Sequence, residues 1–551
     1  GLAASDQMND RPTNNYATLN PLAGGTTSTF TEGNLVGTCP TTNGAVMSTI
    51  ALPSTGKWYC EFEFDSVTTY ATVGVGRMGM KGWNATQEAA AECAILLGQA
   101  SDPPEYGVIG SDFTEGTTTG TPTAIAADTV YGLMWDADAS DKTLKVTDGT
   151  TTTSCTYTTT PSYDIGFIFA TSSTSLTGTV RVNFGQDPTL SGSVSGGAGS
   201  EFYLTKPEGY SALSTANLPT PTIAKGHEYF NTLLYDDGTG AKTFGAADNL
   251  SPDLVWVKSR GSSNNHKLTD SLRGVQKSME SDTVDAEVTE SSNVGVTVFG
   301  ADGFTIGSSS STTGPYADQT GTGTGMVGWG WKQDSTPGFK IVEWTGDTNT
   351  SQEIDTSGTP ALGAAPDFGI FKSLASANWY VYHKSLTALN YLTLDTPDSQ
   401  TGYDGDLWTV GEWDSDSIKV GDDSYGLYLN TNTQDYVAYL FSEVSGFSKF
   451  GIYTANQAVD GPFVWLGFRP AFLMIKERSS SYENWTMLDS KRSTFNLADD
   501  YIYGDTDGSE GDGYNGVDFL SNGFKVRTGG DSINYGTDYI FAAFAEQPFK
   551  Y

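Results

Sequence analysis

The sequence predicts an all-β protein, and three observations predict it. Helix-forming blocks of Ala, Leu, Glu and Lys are nearly absent, while aromatic residues reach 12%. Short aromatic and β-branched runs are punctuated by Gly, Asp and Asn turns, and Gly alone numbers 65. From about residue 225 onward, one strand pattern recurs at a spacing of roughly 110 residues. A chain of 551 residues is long for a single core, so several domains of roughly 100–200 residues are expected.

The elements follow in order. Residues 1–29 form an extended polar lead-in, because Pro12, Asn14, Asn15 and Pro21 favour turns over a regular element. Residues 30–190 carry a series of strands. In "KWYCEFEF", Trp58, Cys60, Phe62 and Phe64 share one side and Glu61 and Glu63 the other, which predicts a half-buried antiparallel strand. All four cysteines, Cys39, Cys60, Cys93 and Cys155, lie here. None forms a CxxC and no His lies near them, which argues against zinc. Free buried thiols are the expectation, and a disulfide is the alternative. Residues 191–224 read as a linker, flexible at "SGSVSGGAGS" and stiffer at "NLPTPTI".

Three β repeats then span 225–333, 334–446 and 447–551. Each opens at a phenylalanine (Phe230, Phe339, Phe450) and continues with a Pro-led apolar strand after Pro252, Pro366 or Pro470. Each closes on an aromatic strand: "MVGWGWK", "YVAYLFSE", "YIFAAFAE". Units of this size can bury cores of their own, so three tandem β-domains are expected. A single pseudo-threefold body is the alternative.

The first block resembles a SPRY-type, concanavalin-like β-sandwich through the order "GKWYCEFEF", "VGVGR", "YGVIG", "DTVYGLMWDADASDKTLKV", "IGFIFA", "VRVNFGQDP". The segment Asn84 to Glu105 has no counterpart in that pattern and reads as an inserted loop or short helix. The whole chain is similar to virion proteins of tailed bacteriophages, common in marine phages. The residues carrying this are "RPTNNYATLNPL", "NLPTPTI", "SPDLVWVKSR", "ADGFTIGS", "YVAYLFSEVSGFSKFGIYT" and "GPFVWLGFRPAFLMIK". That resemblance implies a fibre, tail-tip or capsid-fibre role on the particle surface or tail, with assembly in the host cytoplasm. It supplies no catalytic residues.

Acidic residues number 65 against 29 basic ones, a net charge of −36. Nucleic acid and anionic lipid need a basic footprint, so neither is the expected partner. No apolar run approaches the length of a membrane span, so no membrane insertion is expected. Solubility accounts for most of the charge. One loop, "GDTDGSEGDGYNG", intersperses Asp505, Asp507, Glu510 and Asp512 with glycines, and hard oxygen ligands on a bent loop suit Ca²⁺. A solvated acidic turn has the same pattern.

Trp83, Trp408 and Trp413 stand in Gly- and Asp-rich context. Flat rings beside acids and amides suit glycan binding, although packing would use the same side chains. The three histidines, His227, His266 and His383, form no catalytic motif; G-x-S-x-G and H-E-x-x-H are both absent. The expected function is therefore non-enzymatic. Loops would recognise a host-surface glycan or protein, other virion proteins would be neighbours, and the chain would form a homo-oligomer, with a trimer favoured. A glycan depolymerase and a decoration or connector protein without a receptor are the alternatives.

Overall fold

In a computed structural model of the chain, the described residues are all except 1–14, 24–27, 40–44, 68–69, 80–92, 100–103, 110–112, 123, 160–162, 173–177, 188–189, 191–200, 236–240, 246–249, 302, 308–324, 348, 350, 404–406, 422–428, 515, 531, 546 and 548–551. Among them no α-helix occurs, and antiparallel strands carry the fold. The chain divides into two compact units, residues 1–220 with 550–551 and residues 221–549.

The first unit is a β-sandwich of a nine-stranded and a five-stranded sheet. Phe62 and Phe64 face the second sheet, where Phe62 meets Phe169 at 5.8 Å between ring centroids. The strand Lys57–Phe64 departs from the half-buried expectation, because Glu61 and Glu63 are buried as well. Residues 201–214 return over this face, and Ser211–Ala212 pairs in parallel with Trp58 and Tyr59. Glu61 accepts from Tyr203 N (2.8 Å), Leu204 N (2.7 Å), Asn183 Nδ2 (3.0 Å) and Tyr59 OH (3.1 Å). Four donors compensate a carboxylate taken out of water.

Part of the segment read as a loop or helix is a strand: Cys93–Gln99 pairs with Tyr70–Arg77. The lead-in packs on this same unit, with bridges Tyr16 to Ser214 and Leu19 to Ser48. All four cysteines are buried, and none is in a disulfide.

The second unit holds three inner sheets of one strand order. In the first lobe the order is Phe230–Tyr235, Met326–Trp331, Leu254–Ser259, Lys267–Asp270. The second lobe runs Phe339–Thr345, Asp435–Phe441, Phe368–Ser373, Trp379–His383, and the third Ser448–Thr454, Asp538–Phe544, Phe472–Glu477, Thr486–Asp489. Trp256, Ile370 and Met474 stand opposite Trp329, Tyr439 and Ala542. Phe230 and Phe339 face Trp331 and Phe441, but Ser448 rather than Phe450 faces Phe544. Phe450 therefore lies one pleat further along, on the same side.

Each lobe also packs an outer sheet on its inner one. Val255 and Val257 meet Phe304 and Ile306 in the first lobe, Phe371 meets Ile418 and Val420 in the second, and Phe541 meets Phe524 in the third. The lobes are nevertheless not closed on themselves. Trp331, Phe441 and Phe544 occupy matching positions, and every pair among them touches, at 6.4, 5.9 and 5.5 Å. One hydrophobic cluster runs through all three lobes. A strand sheet with two apolar faces must cover both, and here the second face is covered by the other lobes.

Candidate functional site

The predicted residues come first. Trp83 lies outside the described residues. Trp408 and Trp413 are only 1% and 8% exposed, so they are core and present no ring to a ligand. Trp408 packs on Phe371 (5.1 Å) and Trp413 on Tyr382 (4.8 Å), while Trp413 Nε1 donates to Lys419 O.

The acidic loop does not converge its four carboxylates. Asp505 turns inward, where its Oδ1 accepts Trp485 N at 3.0 Å. Glu510 is held by Arg260 (2.7 and 2.9 Å) and by Arg492 (3.2 Å). Asp507 and Asp512 point to solvent. Among the described residues no group of three or more His, Cys, Asp or Glu side chains could hold a metal ion.

What the loop does instead is form a platform. Two loops of the third lobe, 493–500 and 504–516, run side by side. Tyr501 and Gly511 exchange backbone hydrogen bonds at 2.9 and 3.0 Å, and Ala498 and Val517 do so at 2.8 and 3.0 Å. The Asn496 amide takes both polar groups of Phe519, at 2.9 and 3.1 Å. Ser493 and Asp500 clasp each other. Behind them Arg492, itself fixed by Asp489, anchors Glu510.

Pinned backbone presents Phe495 (83% exposed), Tyr514 (65%) and Leu497, and the same loops carry half-buried Asp499 and exposed Asp512. Large exposed apolar side chains on pinned loops make this loop pair the candidate site. Sequence reading missed these residues. The available signal was "STFNL", two large apolar residues in a segment without strand alternation.

Residues 225–548, more than half of the chain, match a family model described as "Domain of unknown function (DUF7483)". The chain belongs to the DUF7483 family. No curated protein matches it. Two solved structures show similarity over 30% of the chain. The TRIM65 PSpry domain has 10% identity, 92% of its own chain covered and a TM-score of 0.23. The SPRY domain of human HERC1 has 13% identity, 96% covered and a TM-score of 0.21.

The DUF7483 region contains all three histidines, and three buried ring donors link its lobes in a cycle. Trp379 Nε1 of the second lobe donates to Glu280 O of the first at 2.8 Å. Trp485 Nε1 of the third donates to Thr393 O of the second at 2.8 Å. His266 takes that place in the first lobe, with Nε2 2.9 Å from Tyr503 O of the third. Its Nδ1 accepts from Trp256 Nε1, so Nε2 carries the proton. His383 is wired alike: Nδ1 accepts Ser385 N, and Nε2 meets Phe541 O at 3.1 Å. Burial pushes both imidazoles down to about 3. Both are neutral struts between lobes.

Behind the three ring donors lies one carboxylate each. Asp282, Asp395 and Asp505 accept the backbone N–H of His266, Trp379 and Trp485. Burial raises them to about 6, 6 and 7. Lys372 Nζ reaches Val284 O of the first lobe and Lys476 Nζ reaches Pro397 O of the second, and burial lowers both lysines to about 8. These groups hold DUF7483 lobes together by carbonyl contacts.

Proposed function

We propose that this protein is a non-enzymatic virion component of a tailed bacteriophage, a fibre or tail-tip protein that binds a host-surface glycan through the loop pair of its third lobe. The observation that carries the reading is the exposure of Phe495 and Tyr514 over pinned backbone, on loops that also carry Asp499 and Asp512. An aromatic face stacks on the apolar face of a sugar, and carboxylates take its hydroxyls. The two locked histidines support binding over acid–base chemistry, because neither can accept a proton without losing a hydrogen bond. The resemblance of the sequence to phage virion proteins supports the setting. Other virion proteins would be the fixed neighbours. A homotrimer would multiply weak glycan contacts into avidity.

Binding of the full chain to host polysaccharide tests the site. Phe495→Ala and Tyr514→Ala should each weaken binding roughly tenfold with unchanged melting temperature. Unchanged binding removes the loop pair from the reading. Shortened polysaccharide chains after incubation would show an enzyme instead. A mass measurement with and without chelator tests the trimer, and a monomer at micromolar concentration in both overturns it.

A further inference from the structure

The first unit carries a site that is independent of the loop pair. Glu61 and Glu63 are successive outward-facing carboxylates on the strand Lys57–Phe64, and their surroundings differ sharply. Glu61 has its four donors. Glu63 is 3% exposed, yet its carboxylate has no hydrogen-bond or ion-pair partner among the described residues. It lies in the wall of a cleft of ≈370 Å³, with Asp65, Asp128, Arg181 and Leu190.

The backbone brings these groups together. Arg181 stands opposite Glu63 in the neighbouring strand Gly178–Asn183. Thr179 N donates to Asp65 Oδ1 at 2.8 Å, and Asp128 N donates to Phe64 O at 2.8 Å. Arg181 is the obvious counter-ion for Glu63, but its Nη1 is given to Glu32, 3.2 Å from each carboxylate oxygen. Glu32 thereby neutralises the arginine, and Glu63, Asp65 and Asp128 remain as surplus negative charge. The Glu63 carboxylate opens onto this cleft with no protein donor, so a cation with N–H groups entering there would supply the missing donors.

We propose that this cleft binds an alkylammonium ligand, whose head group donates to Glu63, whose stem lies along Leu190, and whose entry is steered by Asp65 and Asp128. Three observations select this class over a metal ion. The volume lies in the range of small-molecule clefts and is many times that of a bare ion. The carboxylates do not form a metal-holding group. Among the described lining residues, Leu190 supplies an apolar wall. Two sources offer the same chemistry, a free linear diamine and a lysine side chain on a peptide.

Burial and the neighbouring Asp128 raise Glu63 above the ordinary carboxylate range, against the pull of Arg181. A cation in the cleft favours the ionised form, so binding at mildly acidic pH should release protons to the buffer.

The test is calorimetric titration of the full chain with 1,5-diaminopentane, with an N-acetyl-lysine N-methylamide, and with calcium chloride. One or both amines should bind, and which of them binds names the source. Glu63→Gln, close to isosteric, should weaken that binding by roughly tenfold to a hundredfold. Asp128→Asn at the rim should weaken it several-fold, and serves as the deciding variant if Glu63→Gln fails to fold. Binding of neither amine overturns the proposal. So does calcium binding without amine binding, or amine binding unchanged in both variants.

Discussion

At the scale of single residues, the two lobe-bridging histidines make the sharpest statement. Each uses Nδ1 as acceptor and Nε2 as donor, so protonation breaks a buried hydrogen bond. Both are depressed to about 3 by burial, against an unfolded value of about 6.5. Their contribution to stability is therefore present above about pH 6.5 and is lost as pH falls toward 3. The imidazole resonances of His266 and His383 should stay fixed in a titration from pH 8 to 5; movement of either near pH 6.5 would contradict the buried tautomer.

Asp505 has the opposite sign. Burial raises it to about 7, so the folded state gains protons that the unfolded chain takes up only near 3.9. Its contribution grows as pH falls from 7 toward 4. Its Oδ2 is buried without a hydrogen-bond partner. Asp505→Asn keeps an acceptor for Trp485 N and removes the buried charge. The variant should be at least as stable as the parent at pH 8 and lose that advantage by pH 5. Denaturant melts at the two pH values decide it, and a variant weaker at pH 8 but equal at pH 5 would reverse the sign. None of these roles was legible in the sequence. The runs "NHKLTD", "NWYVYH" and "NWTMLD" put His266, Trp379 and Trp485 in register, but only the folded contacts reveal their shared role. Trp408 and Trp413 were misplaced for the same reason: their Gly- and Asp-rich context is local, while their partners Phe371 and Tyr382 lie on other strands.

At the scale of elements, alternation and turn residues made most strands legible, because a strand with one apolar face writes its period into the sequence. The exceptions were covered on both faces. Lys57–Phe64 is roofed by residues 201–214, and that roof is more than a hundred positions away in the chain. Cys93–Gln99 sits between two neighbours in its sheet, and its near-continuous apolar run carries no period of two. The loop 504–516 was legible as acidic but not as anchored, since Arg260 comes from a different lobe. Glu510 links that arginine to Arg492, whose side chain is fully buried. Glu510→Ala would leave both arginines without this partner. The expected loss is about 3–5 kcal/mol, the usual cost of breaking a buried pair by deleting one member. Amide exchange should rise across 504–516 before it rises in the inner sheets. A loss below 1 kcal/mol with exchange unchanged would mean that the backbone bonds to Tyr501 suffice to hold the loop.

At the scale of the second unit, the question is whether a lobe can stand alone. A stretch of roughly 110 residues is long enough to bury a core, and each lobe does pack an outer sheet on an inner one. The contacts between lobes argue against independence. Trp331, Phe441 and Phe544 each complete their packing only against the other two. Polar contacts also join every pair of lobes. Trp329 Nε1 donates to Asp489 at 3.1 Å, Tyr439 OH donates to Asp270 at 2.9 Å, and His383 reaches Phe541 O. Removing the third lobe would bare Trp331 and Phe441, strip His266 of Tyr503 O, and leave Trp329 Nε1 buried in need of an acceptor. Unsatisfied buried polar groups and an uncovered aromatic face together exceed the stability of an ordinary domain. A fragment of residues 225–446 should therefore show collapsed proton dispersion or aggregate, as should 225–333 alone. Residues 221–549 should unfold in one transition by fluorescence and by circular dichroism. The decisive mutation is Phe441→Ala on the shared core, with an expected loss of about 3–5 kcal/mol felt in all three lobes together. A well-dispersed spectrum from 225–333, or a Phe441→Ala melt that splits into separate transitions, would show that the lobes are beads and that the cyclic contacts are secondary.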